Sequence, residues 1–313
     1  MIKRKPLRRF FRRLGYYCIA TIFFVPSLFF RKMTNVPEPV DFTENINAFT
    51  AKFGDVVEKV DFVEPTTNEP LHGWFLPADK AKAHPSKPCV LLCHGLGGNI
   101  SQMLPRVNSL HENGCDVLAF DFRGHGESGG VFASLGYFEM RDVIAAIDYL
   151  RDERGIQRVA LYGFSMGAVA ALLAAAHDGR VAAVVAESPY DSMQSVVTWK
   201  AKELYHAPAF VVRVALWTTG VRRGIEYKEV DLVKALPKLA GVPLLLAGTA
   251  SDVTIPIEMT RRLAAVLSDG QEYWEVNGPD HGEICSSEYG PEFERRILAL
   301  LKRCEDTQGI QAD

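Results

Sequence analysis

Arg158-Val159-Ala160-Leu161-Tyr162-Gly163-Phe164-Ser165-Met166-Gly167-Ala168 decides how the chain is read. The first five residues form a short β-type run, and an Ala-rich helical pattern from Met166 to His177 follows. Between them lies G-x-S-x-G. A strand that turns at once into a helix needs glycine on both sides of the turn residue, because side chains there would collide with neighbouring backbone. Ser165 is therefore expected at a strained tip, its hydroxyl exposed above a helix N-terminus. The helix dipole and the Met166 N–H would favour an oxyanion forming beside it. A glycine-bordered turn with an incidental serine is the competing reading, so the remainder of the chain has to decide.

Working outward, short apolar runs alternate with helical patterns. Cys89–Cys93, Asp116–Asp121, Val181–Ala186, Pro243–Gly248 and Tyr273–Val276 read as strands. Phe138–Arg154, Ile257–Leu267 and Phe293–Leu301 read as helices. Continuous apolar strands joined by helices predict an α/β fold: a mostly parallel central sheet with helices on both faces. Val56–Val63 and Leu71–Leu76 alternate apolar and polar residues about a Pro/Asn turn and predict an antiparallel pair at the sheet edge. Residues 192–236 interrupt the rhythm with about 45 residues where one helix would suffice, and they predict a small helical cap over the site.

An activated serine needs a base, and the base needs an orienting acid. In an open α/β sheet both should lie in loops beyond the carboxyl ends of strands. That rule selects His281, in the glycine-flanked loop after the last strand, over His94 and His125. Among acids it selects Asp252, in the loop before Pro256, with Glu187 or Asp191 as runner-up. Asp280, adjacent to His281, should point elsewhere, and Asp121 should brace the glycine-rich turn that follows it. The loop His94-Gly95-Leu96-Gly97-Gly98 supplies a second oxyanion donor, the Leu96 N–H, beside that of Met166. His94, Gly95 and Gly97 are expected to contact substrate. The loop lacks both the phosphate-binding G-x-x-x-x-G-K-[ST] pattern and the third glycine of a dinucleotide fingerprint. No Cys/His metal spacing occurs, so neither metal nor cofactor is expected. The six cysteines read as mostly buried thiols, and Cys89 and Cys93 are too far apart on one strand to bridge.

The sequence has 313 residues and a formal net charge of −3, which gives no reason to expect nucleic acid as a partner. Charge is nonetheless uneven. Residues 1–13 form a basic tail with seven Lys and Arg and no acid, followed by an uncharged apolar run over residues 14–30. As a helix that run would span about 25 Å, near the lower limit for crossing a bilayer. Its bulky exit at Phe29-Phe30-Arg31 does not suit signal cleavage, so it reads as a transmembrane signal anchor. The basic excess before it predicts a cytoplasmic N-terminus and a catalytic body on the outer side of the membrane. Residues 31–54 read as a linker, 55–303 as the catalytic domain and 304–313 as a C-terminal tail.

HGLGGN, DFRGHGESGG, GFSMG, GTASDVTIP and PDHG, in that order, resemble the α/β-hydrolase superfamily of serine hydrolases, nearest its lysophospholipase-like and serine-aminopeptidase-like branch. The resemblance covers roughly residues 55–303. It implies a triad of Ser165, Asp252 and His281, oxyanion donors at Leu96 and Met166, and a cap at 192–236. The expected activity is cleavage of an ester or thioester through an acyl-enzyme. A small-molecule acyl ester, lipid-like given the apolar cap and the anchor, is the expected substrate. A serine aminopeptidase or acyl-peptide hydrolase, and a non-catalytic binding module on the same fold, are the alternatives.

Overall fold

The computed structural model of the chain describes residues 43–79, 81–84 and 86–306. The basic tail 1–13, the apolar run 14–30 and most of the expected linker lie outside these residues. Among the described residues no helix is long and apolar enough to cross a membrane.

Among the described residues eight strands form one sheet: β1 (Glu58–Glu64), β2 (Glu69–Leu76), β3 (Cys89–Cys93), β4 (Val117–Phe120), β5 (Val159–Phe164), β6 (Val181–Glu187), β7 (Leu244–Thr249) and β8 (Glu272–Val276). Their spatial order is β1-β2-β4-β3-β5-β6-β7-β8. β1 pairs with β2, and β2 with β4, antiparallel; every other pairing is parallel. β3, β4, β5 and β7 are buried at every position. That burial explains their unbroken apolar runs, since a strand covered on both faces has no polar side to alternate with.

The strand period of two then sorts residues between two cores. Cys89, Leu91 and Cys93 face one layer while Val90 and Leu92 face the other. The first layer holds α4 (Glu139–Arg154), α5 (Met166–Ala175) and α9 (Ile257–Ala264), and the second holds α1 (Thr43–Phe53), α2 (Ile100–Met103), α3 (Val107–Glu112) and α10 (Gly290–Asp306). Between α2 and α3 the chain tightens into a 3-10 turn at Leu104–Arg106, where Pro105 brings no N–H to a helical ladder.

Two expected boundaries are corrected. Residues 43–53 of the expected linker are the helix α1, whose Phe49 and Phe53 are buried; Phe49 stacks on Trp74 at 5.6 Å. At the other end α10 runs to Asp306, and Cys304, assigned to the tail, is 1% exposed.

The insertion is helical, as expected: α6 (Met193–Tyr205), α7 (Ala209–Arg223) and the short α8 (Leu232–Ala235). An isolated bridge between Ser192 and Asp231 closes its base. Val197, Val212, Ala215 and Leu216 pack inward, so the insertion also extends the core. Phe210, Trp217 and Val221 of α7 remain exposed on its outer side.

Candidate active site

Ser165 follows the last residue of β5 and precedes the first of α5, with φ 52° and ψ −117°. A serine at positive φ costs of order 1–3 kcal/mol and persists only where the surroundings impose it. Here they do. A Cβ at Gly163 would lie 2.4 Å from the Gly167 carbonyl oxygen, and one at Gly167 would lie 2.2 Å from that of Cys93. The Ser165 N–H donates to the Glu187 carbonyl at 2.8 Å, fixing the turn to the neighbouring strand.

Beyond β7, Asp252 lies in a loop with its side chain only 2% exposed. Its Oδ1 accepts from the amides of Thr254 at 2.8 Å and Ile255 at 2.7 Å. Its Oδ2 lies 2.6 Å from His281 Nδ1. A carboxylate there is an acceptor only, so Nδ1 carries a proton, and in the neutral ring Nε2 is the nitrogen that presents its lone pair. His281 in turn packs on Phe164, ring centroids 4.7 Å apart. A Cβ at Gly282, whose φ is +81°, would lie 2.7 Å from that same ring, so the loop can pass only with glycine there.

The acid and histidine loops are laced together. The Asp280 Oδ1 accepts from the amides of Val253 at 3.0 Å and His281 at 2.7 Å, and Thr249 Oγ1 donates to the Pro279 carbonyl at 2.6 Å. Those amides hold the Asp280 carboxyl below its ordinary range. Asp280 thus braces the loop through backbone amides, and the hydrogen bond to the imidazole ring comes from Asp252.

Ser165, His281, Leu96 and Met166 line one cavity of about 1010 Å³. No hydrogen bond joins Ser165 Oγ to the His281 ring among the described residues; such contacts commonly tighten only with substrate in place. Neither the Leu96 nor the Met166 amide donates to another protein group among the described residues, so both are available to a developing oxyanion.

Three expected contacts are corrected. His94, Gly95 and Gly97 are not among the residues that line the cavity, and all three are buried. The His94 Nε2 accepts from the Phe122 amide at 3.0 Å, which leaves Nδ1 to donate to the Gly95 carbonyl. Burial, with His125 beside it, holds the His94 pKa well below the usual imidazole range. The His125 Nε2 accepts from the Gly97 amide at 3.1 Å. The two histidines brace the loop that carries Leu96, their rings edge-to-face at 4.9 Å. A Cβ at Gly95 would lie 3.0 Å from the Phe164 ring, so that glycine acts by close approach to β5. Asp121 does as expected, accepting from the amides of Ile100 at 2.7 Å and Glu127 at 2.9 Å.

The runner-up acids have other partners. Arg262 binds Asp191 at 2.6 Å. Glu187 is fully buried and accepts from Arg106 and from the Tyr162 hydroxyl, each at 2.9 Å. Arg106, Tyr162 and Cys285 form part of the cavity wall, and Cys285 Sγ is 3.4 Å from the Tyr162 hydroxyl. Burial, reinforced by Glu187, pushes the Cys285 thiol up to about 11. Sequence reading missed this polar cluster. Its one signal was an acid ending an otherwise apolar strand, since a buried carboxylate demands a cation nearby.

Among the described residues no group of three His, Cys, Asp or Glu side chains could hold a metal ion.

Comparison with known proteins bears on the fold and on the stretch around Ser165. A family described as serine aminopeptidase, S33, matches residues 84–238, a stretch that includes Ser165 and ends before Asp252 and His281. YqkD of Bacillus subtilis, described as an uncharacterized protein, is 28% identical over 252 residues, 78% of this chain and 80% of that protein. The Pyrococcus furiosus esterase Pf2001 superposes with a TM-score of 0.65 at 22% identity, over 86% of this chain and 97% of the esterase. A membrane phospholipase A described as a bacterial virulence factor does so with a TM-score of 0.59 at 17% identity, over 96% of this chain and 99% of its own. At these identities the superpositions bear on the fold.

Proposed function

We propose that this chain is a member of the α/β-hydrolase superfamily and a membrane-anchored serine hydrolase of carboxylic esters or thioesters, a reading supported by the family match over residues 84–238 and by the shared fold. The observation that carries the reading is the 2.6 Å contact of buried Asp252 with His281 Nδ1, in the same loop cluster as a serine held at positive φ.

In this reading Ser165 Oγ attacks the acyl carbonyl while His281 Nε2 takes its proton. Asp252 holds the tautomer and stabilises the imidazolium. Charge that develops on the carbonyl oxygen is met by the Leu96 and Met166 N–H groups; loss of one such donor typically costs about 10²–10³ in turnover. His281 then protonates the leaving group, and a water that it deprotonates releases the acyl-enzyme.

A lipid-like acyl substrate is the finer proposal. Leu96, Leu135, Met166, Val196 and Ile255 give the cavity an apolar wall, and about 1010 Å³ exceeds what a short acyl group fills. The apolar residues 14–30 behind a basic tail, together with the exposed Phe210, Trp217 and Val221 of α7, suit work at a bilayer. The anchor would leave the catalytic body on the outer side.

A fluorophosphonate probe tests the chemistry. Wild type should form an adduct that Ser165→Ala abolishes and His281→Ala sharply slows, and p-nitrophenyl esters of medium or long chain should be favoured over acetate. An unlabelled wild-type protein would sink the enzyme reading, and strict preference for acetate the lipid-like one. The S33 description favours an aminopeptidase as second reading, which faster turnover of amino-acid p-nitroanilides than of any ester would establish.

A further inference from the structure

We propose that Lys200 of the cap helix α6 forms an anion subsite in the catalytic cavity, so that the preferred ester carries a carboxylate or phosphate group within reach of its ammonium. The inference rests on the hydrolase reading above and adds a substrate class to it.

Lys200 lines the same cavity as Ser165 and His281. It is half-buried, and among the described residues no carboxylate lies within ion-pair distance of it. Its ammonium lies by the ring of its neighbour Trp199, 4.8 Å from Nζ to the centroid. The acids whose fields reach it are Asp252 and Glu203. Asp252 is already committed to His281 and to the amides of Thr254 and Ile255, and Glu203 is exposed on the same helix.

A partly desolvated ammonium without a counter-ion is costly, and burial accordingly lowers its pKa. A structural lysine at this position would turn into solvent, as its long stem permits. Arg106, the other cation of the wall, shows the contrast: Glu187 neutralises it at 2.9 Å. Among the described residues, Lys200 therefore offers the cavity a positive charge from the cap with no carboxylate at ion-pair distance. An anionic group on the substrate would supply the missing counter-ion, and a substrate bearing an ammonium would be repelled.

The test uses the full-length protein and two matched substrate pairs. Mono-p-nitrophenyl glutarate against p-nitrophenyl pentanoate places the charge on the acyl side. A lysophosphatidic acid against the monoacylglycerol of the same chain places it on the alcohol side. Wild type should favour the charged member of at least one pair in kcat/KM. Lys200→Met should lower that preference ratio tenfold or more, mainly through KM, and Lys200→Arg should retain it. The pair that responds identifies the side that bears the anion. A wild type favouring neither charged member, or a Lys200→Met variant slowing both members alike, overturns the proposal. Fluorophosphonate labelling run in parallel separates that failure from failure of the hydrolase reading, because Ser165 would still be labelled.

Discussion

Asp252 divides its two oxygens between different tasks: Oδ1 is held by the amides of Thr254 and Ile255, and Oδ2 faces His281. An asparagine could keep its carbonyl oxygen on the two amides, but would then turn an NH2 group toward Nδ1. That forces the imidazole into the tautomer with its proton on Nε2, where it cannot accept from Ser165. Asp252→Asn should therefore fold normally by circular dichroism while kcat on a soluble ester falls by about 10⁴. A loss below tenfold would show that His281 is oriented by something else. The corrections at His94, Gly95 and Gly97 belong to the same scale. A histidine and two glycines after a strand are legible as a loop near Ser165, but whether they face the cavity or hold the loop depends on which amides reach the ring nitrogens.

Among the elements, α1 changes the boundary of the domain. Only Phe49 and Phe53 of its eleven residues are buried, too few for its sequence Thr43–Phe53 to stand out from a linker. Phe49 meets Trp74, and Phe53 meets the edge of His111 at 5.0 Å. Removing a buried phenylalanine costs about 3–5 kcal/mol, so α1 is a substantial part of the stability of the second layer. A protein of residues 43–313 should melt at the temperature of the full chain, whereas one of residues 55–313 should melt far lower or fail to fold. Calorimetry on the two would check this. The same 43–313 protein should leave the membrane pellet in a carbonate wash that retains the full chain, and retention of both would locate the membrane contact elsewhere. The G-x-S-x-G turn lies at the opposite extreme. Its pattern is spelled out in five residues, although the approach of the Cys93 carbonyl from β3 is what forbids a side chain at Gly167, and α5 begins at the expected Met166.

Across the whole molecule, charges far apart in sequence tie the antiparallel edge to the helical layer. Arg123, in the turn after β4, binds Asp142 of α4 at 2.5 Å and Glu64 at the end of β1 at 3.3 Å. Burial alone would raise the Glu64 pKa, but the Thr67 hydroxyl and the amides of Thr66 and Thr67 outweigh it and bring it from 4.5 to about 2. A carboxyl lowered in the folded state contributes stability that is complete above its unfolded value and is lost as pH falls through the window from about 4.5 to about 2. Glu64→Gln should thus lower the urea midpoint at pH 7, and the gap to wild type should narrow as pH is taken from 5 to 3. A gap independent of pH would assign the loss to packing.

The sequence alone determined the strand–turn–helix at Ser165, the parallel sheet, the order of the loops and the selection of Asp252 and His281 from their place after strands. These follow from local sterics and from periodicity, which act over a few neighbouring residues. Only the tertiary structure decided how the other polar side chains pair, Arg106 with Glu187 across 81 residues and Arg262 with Asp191 across 71, and so took both runner-up acids away from His281. Pairing of that kind depends on distances set by the packed sheet and on the cost of leaving a buried charge without a partner, and no short stretch of chain encodes either.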